Sequence, residues 1–301
     1  MSPARLASAD LTTRARVARS ILIAAFAVAA PASGAGQDLD APRPIDGTNT
    51  VFTEEMTWME VRDAIAGGMT TVIVGTGGLE QNGPYVATGK HNFVLQATTE
   101  AIARELGDAL VAPIVKFVPE GRIDPPSGHM QYAGTVSVRQ ETFEALLTDI
   151  VTSLAQHGFT NVVLIGDSGG NGRGMQNVAD RLNGEWADGG TRVHHIPEYY
   201  REDIWSCDFL KDELNIHQQP DECAATRNEY HDDVHYSTIV ATTDPERIRV
   251  RQRIEAGLFH INGVDLESAE RAVEIGEALV RYRAELTARA IRSAIAEGGG
   301  R

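Results

Sequence analysis

Residues 71–92 read TVIVGTGGLEQNGPYVATGKHN, and the change of pattern inside them points to the fold. Thr71–Gly75 is a short apolar, β-branched run without polar alternation, as in a strand covered on both faces. It gives way to a Gly-rich polar loop, with a turn forced at Gly83-Pro84. A helical periodicity follows from Phe93 to Leu106. Upstream, Thr57–Gly67 opens with Thr57 and has Glu60 three residues on, a capping-box pattern. Downstream, Ala109–Phe117 is strand-like, Gln140–Gly158 reads as a helix, and Asn161–Ile165 (NVVLI) reads as a second buried strand. A Gly-rich turn and a helix from about Met175 complete the alternation. Strands alternating with helices predict parallel βαβ units, hence an α/β fold: a three-layer α/β/α sandwich with a mostly parallel central sheet. Such sheets bind ligands beyond the carboxyl ends of their strands, so Gly75–Asn92 and Gly166–Gly174 are the segments in which to look for chemistry.

The rest of the chain narrows the class. Its 301 residues are 42% hydrophobic and 23% charged, which excludes collagen-like and largely disordered chains. Lys and Arg total 27 against 42 Asp and Glu, a formal net charge of −15 that disfavours nucleic acid as a partner. Arg5, Arg14, Arg16 and Arg19 precede an apolar run from Ile21 to Ala30, and Ser33-Gly34-Ala35 follows. That order predicts a signal peptide over 1–35 and a periplasmic or secreted protein. The apolar run is too short for a stable membrane span, and no longer one follows it. Residues 36–50 read as a linker or N-terminal arm, and 51–301 as the folded domain. An irregular, acidic insertion or lid is expected at about 199–230, with Trp205 in it. Export permits a Cys207–Cys223 disulfide, and two free thiols are the other reading.

Several residues carry metal-ligand or acid–base chemistry. Glu80 and His91 stand at the two ends of one loop, 11 residues apart, where a carboxylate and an imidazole suit a shared divalent ion. His231-Asp232-Asp233-Val234-His235 is dense in donors: a helix would put His231 and His235 on one face, an extended segment His231, Asp233 and His235. His194, His195, His217 and His260 read as structural. Gly166-Asp167-Ser168-Gly169-Gly170 is also the string around the nucleophilic serine of chymotrypsin-like proteases, though here it leaves a buried strand in an α/β pattern. Ser168 is therefore either a nucleophile in a different fold or a helix-capping turn residue.

Gly77-Gly78-Leu79-Glu80-Gln81-Asn82-Gly83-Pro84 resembles the Gly-x-x-Glu-Gln-His-Gly-Pro signature of the creatininase family. Gly128–Ser137 (GHMQYAGTVS) resembles that family's His-x-x-Phe-Pro-Gly-Thr-Ile-Ser segment, and Gly169-Gly170-Asn171 the end of its Gly-rich turn. His231, 14 residues before Pro245-Glu246, is similar to the His of its His-Ala-Gly segment. The ordered matches run from Thr57 to Ile248. They imply a three-layer α/β fold, a metal-dependent amidohydrolase cleaving a C–N bond of a small, often cyclic amide, and a homo-oligomer, commonly a hexamer. They also imply one or two divalent ions per chain, with Zn or Mn as the expected metal. Matched residue by residue, Glu80 is a metal-binding carboxylate and His231 the acid/base. Asn82 stands where the family has a metal-binding His, His91 where it has a bridging Asp, Ser168 where it has a His, and Tyr236 where it has a Glu.

With those replacements, Glu80, His91 and Asp167 offer an O,N,O ligand set, joined by His235 or His231. His231 or Ser168 would be catalytic. Asn82, His129, Gly169, Gly170, Asp233 and Tyr236 are the expected substrate contacts, with Lys90 beside them. A non-catalytic exported binding protein that has lost its metals is the alternative.

Overall fold

The computed structural model describes residues 38–187, 189–201, 206–219 and 231–298. Residues 38–44 belong to an N-terminal unit of their own, in which the Ala41 amide closes a turn on the Asp38 carbonyl at 3.2 Å. The expected signal peptide, Trp205 and Cys223 lie outside the described residues, so the disulfide pairing does as well. Among the described residues no helix is long and apolar enough to cross a membrane.

From Ile45 on, four strands form one parallel sheet in the order β2-β1-β3-β4: β1 (Thr71–Thr76), β2 (Ala109–Val111), β3 (Asn161–Gly166) and β4 (Arg192–His195). Side chains alternate across a strand, and the core divides accordingly. Val72, Val74, Leu110, Val162 and Leu164 face one way, onto Phe143, Leu147 and Val151 of helix α3 (Gln140–Gln156) and Met175, Val178 and Leu182 of α4 (Gly172–Glu185). Helix α1 (Trp58–Ala66) adds Val61 and Ile65 on that side. Ile73, Val111, Val163 and Ile165 face the other way, onto Leu95 and Ile102 of α2 (Lys90–Leu106) and Ala284 and Ile291 of α7 (Ala269–Gly298). Helix α5 (Val234–Thr243) packs outside α2 and α7, and α6 (Val250–Glu255) with the β5–β6 hairpin (His260–Ile261, Val264–Asp265) precedes α7. This is the three-layer sandwich.

Two elements differ from the sequence reading for local reasons. The strand expected over 109–117 pairs regularly only through Val111: Ala112 still donates to the Ile73 carbonyl at 2.9 Å, but the next bond to β1 comes from Val115 to Gly75 at 2.9 Å, one residue out of register across Pro113 and Ile114. Helix α4 begins at Gly172 rather than near Met175, directly out of a tight turn at Gly169–Asn171.

The capping box at α1 forms as expected. The Thr57 hydroxyl accepts the Glu60 amide at 3.3 Å, and Glu60 Oε2 accepts the Thr57 amide at 2.7 Å. Glu60 Oε1 also accepts the Thr48 amide at 2.7 Å, and these bonds hold its carboxyl down to about 2. A depressed carboxylate stabilises the fold fully above its ordinary value of about 4.5, and that contribution disappears as pH falls through about 2. Glu60→Gln is therefore expected to lower Tm at pH 7 and to leave it almost unchanged at pH 2. Equal losses at both pH values would refute the carboxylate's role.

Candidate metal centre

Three side chains form the buried base of the site, all near the carboxyl ends of β1 and β3. Glu80 hangs in the loop after β1, which is anchored to the next helix because the Asn92 amide group both donates to the Gly78 carbonyl (2.9 Å) and accepts its amide (3.2 Å). A Cβ at Gly78 would meet Glu120 Oε1, so the glycine leaves that carboxyl its place against the loop. Asp167 follows β3 directly, its amide bonded to the Thr76 carbonyl at 3.0 Å. His91, in the first turn of α2, spans the two carboxylates: Nδ1 lies 2.7 Å from Asp167 Oδ2 and Nε2 lies 2.8 Å from Glu80 Oε1. All three are buried.

Cations surround this pair of carboxylates. Arg283 of α7, fully buried, places Nη2 2.9 Å from Asp167 Oδ1, and Lys90 Nζ lies 3.5 Å from Glu80 Oε1. Burial and the Lys90 charge push the His91 ring down, but its bonds to Asp167 and Glu80 prevail and raise it to about 9. Burial would raise Glu80; the hydrogen bonds from His231 and His91 outweigh that and hold it below the usual carboxylate range. Asp167 is likewise held low, with Arg283 and His91 overcoming its burial. Tyr199 donates to Asp167 Oδ1 at 3.2 Å and shares a 2.8 Å bond with Thr98.

On its other side Glu80 meets two histidines. His129 Nε2, from a short 3₁₀ turn at Gly128–Gln131, lies 3.2 Å from Oε2, and His231 Nδ1 lies 3.5 Å from Oε1. The ligand atoms of Glu80, His129 and His231 all fall within 4.8 Å of one another. Tetrahedral N,N,O ligands at ~2.1 Å bond lengths sit about 3.4 Å apart, so these side chains would need to close only by about 1 Å to hold one divalent ion. Burial pushes the His129 ring down, which keeps a nitrogen lone pair available to a metal.

These groups line a cavity of about 750 Å³ with Lys90, Glu120, Ser168, Gly169, Gly170, Arg201, Gln218, Asp233, His235 and Tyr236 on its wall. The expected site residues are thus largely gathered, but not as expected. Asp167 lies beneath the cavity, and Asn82 is buried in the loop, donating to the Glu80 and Ala87 carbonyls at 3.0 and 3.2 Å. His231 sits in a left-handed turn (φ 53°) before α5 and His235 within its first turn, so they share neither a helical face nor an extended one. The His235 ring instead lies 4.1 Å from that of Tyr236. Ser168 donates to Glu120 Oε2 at 3.3 Å and makes no hydrogen bond to a histidine among the described residues.

Sequence reasoning missed Glu120 and Arg283. Burial and the nearby Glu80 charge push Glu120 up to about 8. A carboxylate between Pro119 and Gly121, after a strand-like run, was the available signal. Nothing in the periodicity of α7 singles out Arg283.

Fold and site together define a class: a three-layer α/β protein with a polar strand-end cavity built on carboxylates and histidines. Within that class the chain belongs to the creatininase family, whose model, described as creatinine amidohydrolase, matches residues 54–291. It is 28% identical over 118 residues to creatinine amidohydrolase of Pseudomonas putida, covering 39% of this chain and 45% of that one. It is 26% identical over 128 residues to 3-dehydro-scyllo-inosose hydrolase of Thermotoga maritima, covering 42% and 37%. The chain thus spans less than half the length of these curated relatives. A solved structure titled "Creatininase Mn" superposes at a TM-score of 0.60 with 19% identity over 81% of this chain and 98% of that one. Another, of a mutant creatininase described as "Zn-Zn type", gives 0.57 at 19% identity over 82% and 98%. Both likenesses concern the fold.

Proposed function

We propose that this protein is a metal-dependent hydrolase that cleaves a C–N bond in a small, cyclic amide. The observation that carries the reading is the convergence of Glu80, His129 and His231 on one point of a polar cavity in a creatininase-family fold. The proposed ligand set is those three residues, with Zn or Mn as the ion, in keeping with the metals named for the related structures. Such an ion supplies Lewis-acid polarisation of a carbonyl and makes water nucleophilic near neutral pH.

The chain's own groups do the rest. His91 and Lys90 hold Glu80 in place, and Lys90 also donates to the His231 carbonyl at 3.1 Å, fixing the turn that presents the ring. Gly169 and Gly170 lie on the cavity wall, and a Cβ at Gly170 would lie 2.6 Å from the Pro119 carbonyl oxygen, so glycine is needed there for the turn to pack against that segment. Glu120 is the proton-bearing carboxyl of the cavity and the donor for the leaving nitrogen, with Ser168 orienting it through Oε2. Residues 1–35, basic then apolar then small, support export to the periplasm or medium.

A second reading, a cyclic polyhydroxylated ketone as substrate, draws on the Thermotoga maritima relative and on the Arg201, Ser206 and Gln218 wall of the cavity. The test is elemental analysis of the chain purified without chelator, then a panel of cyclic amides, lactams and cyclic polyol ketones. About one equivalent of metal is expected, and chelation should abolish turnover reversibly. Equal turnover by the chelated protein, or no metal after incubation with zinc and manganese, would overturn the metal reading.

A further inference from the structure

Two buried carboxylates near one another are a strong attractor for cations, yet here most of their oxygens are already spent. Asp167 Oδ1 takes Arg283 Nη2 at 2.9 Å and the Tyr199 hydroxyl at 3.2 Å, and Oδ2 takes His91 Nδ1 at 2.7 Å. Glu80 Oε1 takes His91 Nε2 at 2.8 Å, with Lys90 Nζ 3.5 Å away. Both His91 ring nitrogens are thus turned onto carboxylate oxygens, and the ring fills the space between the two groups. Glu80 Oε2, facing His129, is the oxygen this network leaves to the cavity.

We propose that the His91 ring fills the seat a second metal ion would need between Glu80 and Asp167, so that the site takes one ion only. The inference rests on the metal reading above and sharpens it. His91 stands at the start of α2, whose N-terminal turn is held through the Asn92–Gly78 bonds, so the ring is delivered between the ends of two adjacent strands by rigid elements. Arg283, from the far end of the chain, closes the Asp167 side. With Arg283 and Tyr199 on Oδ1 and His91 on Oδ2, both Asp167 oxygens are engaged among the described residues. His91 is thus a positioning residue: it turns Glu80 so that Oε2 looks toward His129.

The test is a zinc titration of the full chain by calorimetry, paralleled by His91→Asp, which exchanges the imidazole for a third carboxylate. About one equivalent is expected for the wild type and about two for His91→Asp, with circular dichroism confirming that the variant is folded. Two equivalents in the wild type would overturn the inference and leave the metal reading standing, as would one equivalent in folded His91→Asp. None in the wild type would overturn the metal reading and the one-ion limit with it. If His91→Asp fails to fold, ¹⁵N-edited spectra of the wild-type histidine rings decide. The His91 ring nitrogens should keep their positions on adding zinc while those of His129 and His231 shift, and a zinc-induced shift of a His91 nitrogen as large as theirs would overturn the inference.

Discussion

Glu80→Gln is expected to strip the site of metal and to lower kcat/KM by more than about 100-fold, since even outer-shell partners of metal ligands cost about 10–100-fold when removed. The isosteric amide keeps the shape of the loop and its backbone bonds, including the Glu80 amide to the Thr88 carbonyl at 3.1 Å. What it removes is the charge that His91, Lys90, His129 and His231 all face. Glu80 is held well below the ordinary carboxylate range, so at neutral pH the native group is fully ionised and the substitution removes a whole charge. Metal content by elemental analysis and turnover should fall together. Full metal retention with lost turnover would mean that Glu80 acts on substrate rather than on the ion.

Arg283→Met should destabilise the domain by about 3–5 kcal/mol, the usual cost of leaving one partner of a buried ion pair uncompensated. The guanidinium is fully buried, pairs with Asp167 and donates to the Tyr199 carbonyl through Nε at 3.3 Å and Nη2 at 3.0 Å. It also lies 3.7 Å over the Tyr199 ring, a second attraction that methionine would replace only in part. Because the penalty lies in the stranded carboxylate, adding Asp167→Asn to Arg283→Met should recover part of the loss. Urea unfolding of the two variants measures both. A single-variant loss under about 1 kcal/mol would show that His91 and Tyr199 suffice to hold Asp167.

The regular elements were legible because their signals are local. A capping box spans four residues and a buried β-branched run five, and each formed where its residues stand: α1 with Thr57 and Glu60, β1 from Thr71, β3 from Asn161. Where the reading slipped, a local irregularity decided, as in the one-residue slip of pairing between Ala112 and Val115 that ends β2 early. Glu80 and His91 were legible as a pair because one loop carries both. His129 was read as a substrate contact rather than a neighbour of Glu80, since a 3₁₀ turn in an irregular segment has no periodicity that aims its side chain.

By itself, then, the sequence determined the alternating order of strands and helices, the strand ends as the place of the site, and the loop that holds its central carboxylate. Hydrophobic periodicity and turn chemistry act over a few residues and need no partner to be read. Only the tertiary structure decided what each polar group does. His91 can bridge Glu80 and Asp167 because β1 and β3 lie side by side in register, and Arg283 meets Asp167 across 116 residues of chain. Which cation neutralises which buried carboxylate, and which oxygen is left over for a metal, depends on contacts set by packing three layers together.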